Sequence, residues 1–211
     1  MILPAGFYHR PTLDVARDLL GKVLVYKCSD GLTSGMIVEA EAYIGEEDPA
    51  CHAAVGRTAR NAPLYGPPGR AYVYLNYGLH DMVNAVTEAE GHPAAVLIRA
   101  LEPLEGLPLM HRRRANAPWR KGKVPVPVHE LCRGPGNLTR AMGITLADNL
   151  RPLTLGPLTI RDEGLTVPPV MWDGRIGIRV GTERPWRASL AGHPSVSRPG
   201  LRARPGPASA P

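Results

Sequence analysis

The chain has 211 residues, 44% of them hydrophobic, with 23 glycines, 23 prolines and a formal net charge of +6. That length and apolar content suit one domain with its own core and no need of disulfide staples, and the glycine and proline load argues against an all-helical bundle. No apolar run nears the ~18 residues of a membrane span, the opening MILPAGFYHR reads as mature protein rather than leader, and the odd, widely spaced Cys28, Cys51 and Cys132 read as reduced cytoplasmic thiols.

Thr12 to Leu20 is expected to form a helix, with Thr12 as cap, Asp14 in the first turn, Val15, Ala16, Leu19 and Leu20 as the apolar stripe and Gly21 as the stop. Lys22–Cys28 reads as a strand, Asp30-Gly31 as a hairpin turn, and Gly35–Tyr43 as the return strand. On the return strand, period-two alternation puts Ile37, Glu39, Glu41 and Tyr43 on one face and Met36, Val38, Ala40 and Ala42 on the other. Ile44–Pro68 reads as a loop of functional length. Arg70–Tyr77, Met82–Thr87 and Ala94–Leu101 read as strands, Leu107–Asn116 as a helix, and Asn137–Met142 as a helix capped by Asn137 and ended by Gly143. Leu158–Arg161, Arg175–Val180 and Trp186–Leu190 are short strand candidates. Strands beside strands with helices inserted predict a single α+β domain on a largely antiparallel sheet over residues 1–197. Residues 198–211, RPGLRARPGPASAP, read as a disordered basic tail.

Positive charge points to an anionic partner. It gathers at Arg112, Arg113 and Arg114 and at Arg120, Lys121 and Lys123, with Arg133 and Arg140 following. A solvated charged face is the plainer reading of the same run.

Five of the seven tyrosines, Tyr43, Tyr65, Tyr72, Tyr74 and Tyr77, fall in one window of a chain that is only 5% aromatic. An aliphatic core does not need its flat rings gathered together, whereas a site for a flat ligand does. Glu39, Glu41, Glu46, Glu47 and Asp48 crowd the same region of a basic protein. Glu46, Glu47 and Asp48 read as an exposed acidic loop. Glu41 ends an apolar strand one pleat step from Tyr43, placed either as a general base in a partly dry pocket or as an ion-pair partner of an arginine. His52 sits beside Cys51 with no second ligand at zinc spacing, so no metal is expected. Tyr72 and Tyr74 share a strand face; Tyr77 has the opposite parity and precedes Gly78. Asn84, polar within Met82-Val83-Asn84-Ala85-Val86, must find a hydrogen bond if buried or face a ligand.

The stretches VEAEAYIGEEDPACHA, GRAYVYLNYGLHDMVN, LIRALEPLEGL and ELCRGPGNLTRAMGI, in that order, resemble the alkyladenine (3-methyladenine) DNA glycosylase family, over roughly residues 5 to 197. The resemblance implies one α+β domain on a curved antiparallel sheet. It also implies a monofunctional repair enzyme, working without cofactor and as a monomer, that flips damaged purines from double-stranded DNA and hydrolyses the N-glycosidic bond. Under it Glu41 is the general base and Arg99 lies near the catalytic water. Tyr43, His52 and Tyr74 enclose the flipped base, Asn84 crowds the exocyclic amino group of guanine, and Tyr77 is the wedge in the minor groove. Leu79, His80 and Asp81 follow the wedge where animal members carry bulkier apolar or aromatic residues. Tyr65 and Tyr72 are read as structural. No lysine in the motifs offers a Schiff base, and no glycine-rich loop offers a nucleotide site. The rival readings are a non-catalytic damage-binding module and an RNA-modifying or formyltransferase-like enzyme.

Overall fold

The computed structural model describes residues 1–116 and 125–197. Arg120, Lys121 and Lys123 and the tail expected at 198–211 lie outside the described residues. Two short helices, α1 (Ala5–Tyr8) and α2 (Thr12–Asp18), lead into the hairpin β1 (Val23–Cys28) and β2 (Gly31–Ile44). After a long loop come β3 (Ala71–Asn76), β4 (His80–Val86) and β5 (Ala94–Glu105), then α3 (Leu107–Ala115) and α4 (Pro135–Met142). β6 (Leu158–Arg161), β7 (Val170–Asp173) and β8 (Arg187–Leu190) close the chain.

The sheet runs β3-β4-β5-β2-β1-β6, with β8 also paired to β2 and β7 to β8. Every pairing between these strands is antiparallel, in line with the largely antiparallel sheet expected from the sequence. β2 is the spine: β1 and β8 share one of its edges in succession, while β5 takes the other. The result is a curled α+β domain.

Strand alternation sorts the side chains onto two faces. Ala40 and Ala42, Ala71 and Val73, Val83 and Ala85, Val96 and Ile98 all join the main core. Against them pack Val15 and Ala16 of α2 with Leu19 at its C-cap, Met110 of α3, and Leu138, Ala141 and Met142 of α4. The intervening residues face the other way. Register aligns Tyr72, Asn84, Leu97, Glu41 and Arg187 in one row across β3, β4, β5, β2 and β8. A smaller cluster of Cys51, Ala53, Leu64, Tyr72, Val86 and Ala95 seals the loop against this second face.

Several local expectations need correction. Asn137 is inside α4, which begins at Pro135 after Gly134; its Nδ2 donates to the Arg133 carbonyl instead of capping. Thr12 is likewise in the first turn of α2, with its hydroxyl bonded to Thr87 and Glu88. Arg175–Val180 is not a strand. Its Ile176 N–H is spent on a side chain and Arg175 is drawn inward, so the partner of β8 is β7, which the pattern did not mark. The arginines of α3 are divided. Arg112 faces solvent, but Arg113 donates to the Ala141 and Met142 carbonyls at the end of α4, and buried Arg114 bonds Asn137. Those two cations tie helices together.

Candidate active site

The second face opens into a cavity of about 330 Å³. Its walls include Tyr43 from β2, Tyr72 and Tyr74 from β3, Met82 and Asn84 from β4, and Leu97 and Arg99 from β5. The loop after β2 adds Cys51 and His52, and the loop after β7 adds Ile176, Gly177 and Ile178. Tyr77 stands at the rim. Four strands and two loops therefore bring together the residues singled out by sequence, with Glu41 directly behind the wall.

Glu41 is fully buried. Its Oε2 accepts from the Tyr43 hydroxyl at 2.9 Å and from Arg99 Nη1 at 3.1 Å, and its Oε1 accepts from the Ile176 N–H at 2.7 Å. Burial pushes the carboxyl above its ordinary range. Arg99, the Ile176 amide and Tyr43 pull it back, while Glu39 pushes it further up. Of the two sequence readings of Glu41, the ion pair with an arginine is present, made to Arg99, and among the described residues its Oε1 accepts from the Ile176 N–H.

The tyrosines are set by what touches them. The His52 Nδ1 and Tyr72 hydroxyl are 2.9 Å apart, and the His52 ring lies edge-on to Tyr74 with centroids 4.4 Å apart. Tyr72, read as structural, also lines the cavity and orients His52. Its shared parity with Tyr74 was the available signal. Burial, then the Arg60 cation, lower the pKa of His52, which keeps the imidazole neutral near pH 7. Burial and Glu41 push the Tyr74 hydroxyl up to about 12, so it stays a neutral donor. The buried Asn84 amide donates to the Tyr72 carbonyl at 2.9 Å, which pins it against the cavity. Asn61 holds the loop shape, its Nδ2 donating to the His52 and Gly56 carbonyls, each at 2.8 Å.

Asp48 was expected on an exposed acidic loop and is instead wholly buried. It accepts from Arg175 Nη1 at 2.5 Å and Nη2 at 2.7 Å. Glu46 and Glu47 are exposed as expected, with Glu46 taking the Tyr65 hydroxyl. Arg175 lies between two rings, 4.7 Å from the Tyr43 centroid and 5.2 Å from that of Trp186. This bidentate pair ties the two cavity loops together beneath Tyr43.

Tyr77 is outside the strand, at the tip of the β3–β4 hairpin. The Leu79 N–H returns to the Asn76 carbonyl at 3.0 Å, and φ is +49° at Tyr77 and +69° at Gly78. Positive φ at both central residues marks a type I′ turn, common in tight hairpins and unusual for tyrosine. The ring is 84% exposed, with Leu79 exposed beside it. An aromatic aimed at solvent on a strained turn is a feature that invites a partner. Among the described residues, no three His, Cys, Asp or Glu side chains come together as a metal site, and no helix is long and apolar enough to cross a membrane.

Known proteins resemble the chain over nearly the same span. Proteins named "Putative 3-methyladenine DNA glycosylase" from Methanocella arvoryzae, Rubrobacter xylanophilus and Burkholderia lata are 48%, 47% and 46% identical to it. These alignments cover 93%, 83% and 95% of this chain and 96%, 86% and 93% of the respective relatives. A family model described as methylpurine-DNA glycosylase matches residues 6–194. That match includes the tyrosine-walled cavity, the buried carboxylate behind it and the exposed hairpin tip, and the chain belongs to the methylpurine-DNA glycosylase family.

Proposed function

We propose that the chain flips alkylated and deaminated purines out of duplex DNA and removes them with a water activated by Glu41, as a monomer in the cytoplasm. Flipping is needed because a stacked base hides its glycosidic bond, and unstacking costs a few kcal/mol. Tyr77 offsets part of that by filling the vacated space, as apolar wedges do in the minor groove. Arg60, 6.0 Å from the Tyr74 ring centroid, and Arg57, 5.4 Å from that of Tyr65, supply positive charge near the phosphates.

Inside the cavity the base stacks on tyrosine, and electron-rich rings favour the cationic alkylated purines. His52 hydrogen-bonds the flipped nucleotide, and Asn84 crowds a guanine amino group. Glu41 takes a proton from water as the water oxygen bonds to C1′. The C1′–N bond breaks with its electron pair leaving on the base, and the Glu41 charge opposes the cationic character building on the sugar. Arg99 holds the carboxylate in place and flanks the water. No lysine lines the cavity among the described residues, which supports water as the nucleophile and no strand cleavage.

The observation that carries this reading is the Glu41 carboxylate, buried in the row of residues behind a tyrosine-walled cavity, with Tyr43 and Arg99 on one oxygen and the Ile176 amide on the other. The test is base release from duplexes bearing 3-methyladenine, 7-methylguanine, hypoxanthine or ethenoadenine. Glu41→Gln should lose ~10²–10⁴-fold in excision, about 3–5 kcal/mol of barrier, while still binding the lesion duplex. Wild-type release by that variant on a neutral lesion removes Glu41 as the base.

A further inference from the structure

Arg99 stands between two carboxylates. Its Nη1 donates to Glu41 at 3.1 Å and its Nε to Glu39 Oε1 at 3.4 Å. The backbone explains the placement: Ile98 pairs with Ala40 and Ala100 with Glu39, so Arg99 is the extra residue of a bulge in β5. Bulges re-aim a side chain, and they recur beside active sites. The β2 side compensates at Val38, which restores register by Ile37 opposite Leu101.

Glu39 is fully buried and lies outside the cavity wall. Besides Arg99, its Oε1 accepts from Arg187 Nη1 at 3.0 Å and the Ser197 hydroxyl at 2.9 Å, and its Oε2 accepts from the Ser197 N–H at 2.9 Å. Arg187 is in turn held by Asp173 at 3.1 Å and the Gly174 carbonyl at 2.9 Å. A guanidinium facing a single carboxylate tends to close on both oxygens as a fork. Here the fork is divided, and among the described residues Glu41 Oε1 accepts only from the Ile176 N–H.

We propose that Glu39 is a positioning residue that holds Arg99 off-centre, so that Glu41 is fixed by the guanidinium at one oxygen and keeps the other as proton acceptor. Ser197 sets the strength of that hold by sharing the Glu39 oxygens. This rests on Glu41 being the base. Its consequence is a pH-dependence. Among the described residues, the other charged or titratable groups beside the dyad include Tyr43, Tyr74 and Arg175 around Glu41, and Arg187 with Asp173 behind Glu39.

Two substitutions should move the acid limb of the excision profile in opposite directions. Glu39→Gln removes a neighbouring negative charge and frees Arg99 to close on Glu41. The limb should fall by about 1 pH unit, and the plateau by ~10-fold as the base weakens. Ser197→Ala leaves Glu39 Oε1 with one donor fewer, draws Arg99 away from Glu41 and should move the limb up by a fraction of a unit. Single-turnover release of hypoxanthine from duplex DNA is measured across pH for the full chain and both variants, with thermal melts alongside. Opposite shifts support the proposal. Lower plateaus or melting temperatures with an unmoved limb mean that Glu39 is only structural, and overturn it. If Glu39→Gln does not fold, Ser197→Ala decides alone, an upward shift supporting and no shift overturning. Glu41→Gln is the control: retained excision there removes the base assignment itself, and the proposal with it. An inactive Glu41→Gln with unmoved limbs sinks only the role of Glu39.

Discussion

The two faces of the sheet are built from alternate residues of the same strands and do opposite work. Toward α2, α3 and α4, positions 40, 42, 71, 73, 83, 85, 96 and 98 carry alanine, valine or isoleucine, all closely packed. Toward the cavity, the intervening positions carry Glu41, Tyr43, Tyr72, Tyr74, Asn84, Leu97 and Arg99. The first face needs only shape, since apolar burial is non-directional and roughly proportional to area. The second holds groups that lose solvation on burial, so each needs a specific partner: Arg99 for Glu41, Arg187 for Glu39, Arg175 for Asp48. One face stabilises the domain, and the other walls a cavity with polar groups that are tolerated because their charges are paired locally.

That difference can be broken from either side. Asp48→Asn removes the charge opposite Arg175 where both side chains are fully shielded. Breaking one partner of a buried pair costs about 3–5 kcal/mol, and the cavity loops and Tyr43 should loosen with it. Denaturant melts should show that loss, and excision per folded molecule should fall too; a variant as stable as the parent would mean that water reaches Arg175. Ile98→Ala acts on the other face. Deleting this fully buried side chain should cost about 2–5 kcal/mol through lost burial and the cavity left behind. Here stability should fall while excision per folded molecule at low temperature stays near the parent value. Equal damage to excision would show that the two faces are not separable.

How much could be read in advance divides along the same line. Alternation at 40–43 and 71–74 was visible in the sequence and correctly separated the face of Glu41 and Tyr43 from that of Ala40 and Ala42. The strands themselves were recognisable because apolar runs end at Gly and Pro. What could not be read was pairing across long separations. Asp48 passed for a surface acid because its partner, Arg175, lies on a segment whose own alternation imitates a strand. Glu39 was one acid among five until Arg99, Arg187 and Ser197 met on it. The bulge that turns Arg99 toward both carboxylates leaves no mark in the residue pattern, since it comes from a mismatch in register between two strands. The structural reading of Tyr72 holds but is incomplete: it is both core and wall, packed with Leu64 and Val86 while its hydroxyl reaches His52.

The hairpin tip belongs to neither face, and its substitution should have the smallest effect on stability. Tyr77 has no close packing to lose, at 84% exposed, and sits at φ +49°, where an L side chain is strained. Tyr77→Gly relieves ~1 kcal/mol or more of that strain. The same change loosens the unfolded chain, worth about 0.4–1 kcal/mol in the other direction. The two terms nearly cancel, and the melting temperature should hardly move. Function should respond differently, because the missing ring withdraws a stacking surface worth ~1–3 kcal/mol. At tenfold for each ~1.4 kcal/mol, lesion-duplex affinity and excision should fall by about five-fold to a hundred-fold, with the pH profile unshifted because Glu41 is untouched. Fluorescence of a 2-aminopurine beside the lesion would report the flipped population directly. An unchanged signal with unchanged excision would leave the exposed tyrosine without a part in DNA binding, and its strained turn would need another explanation.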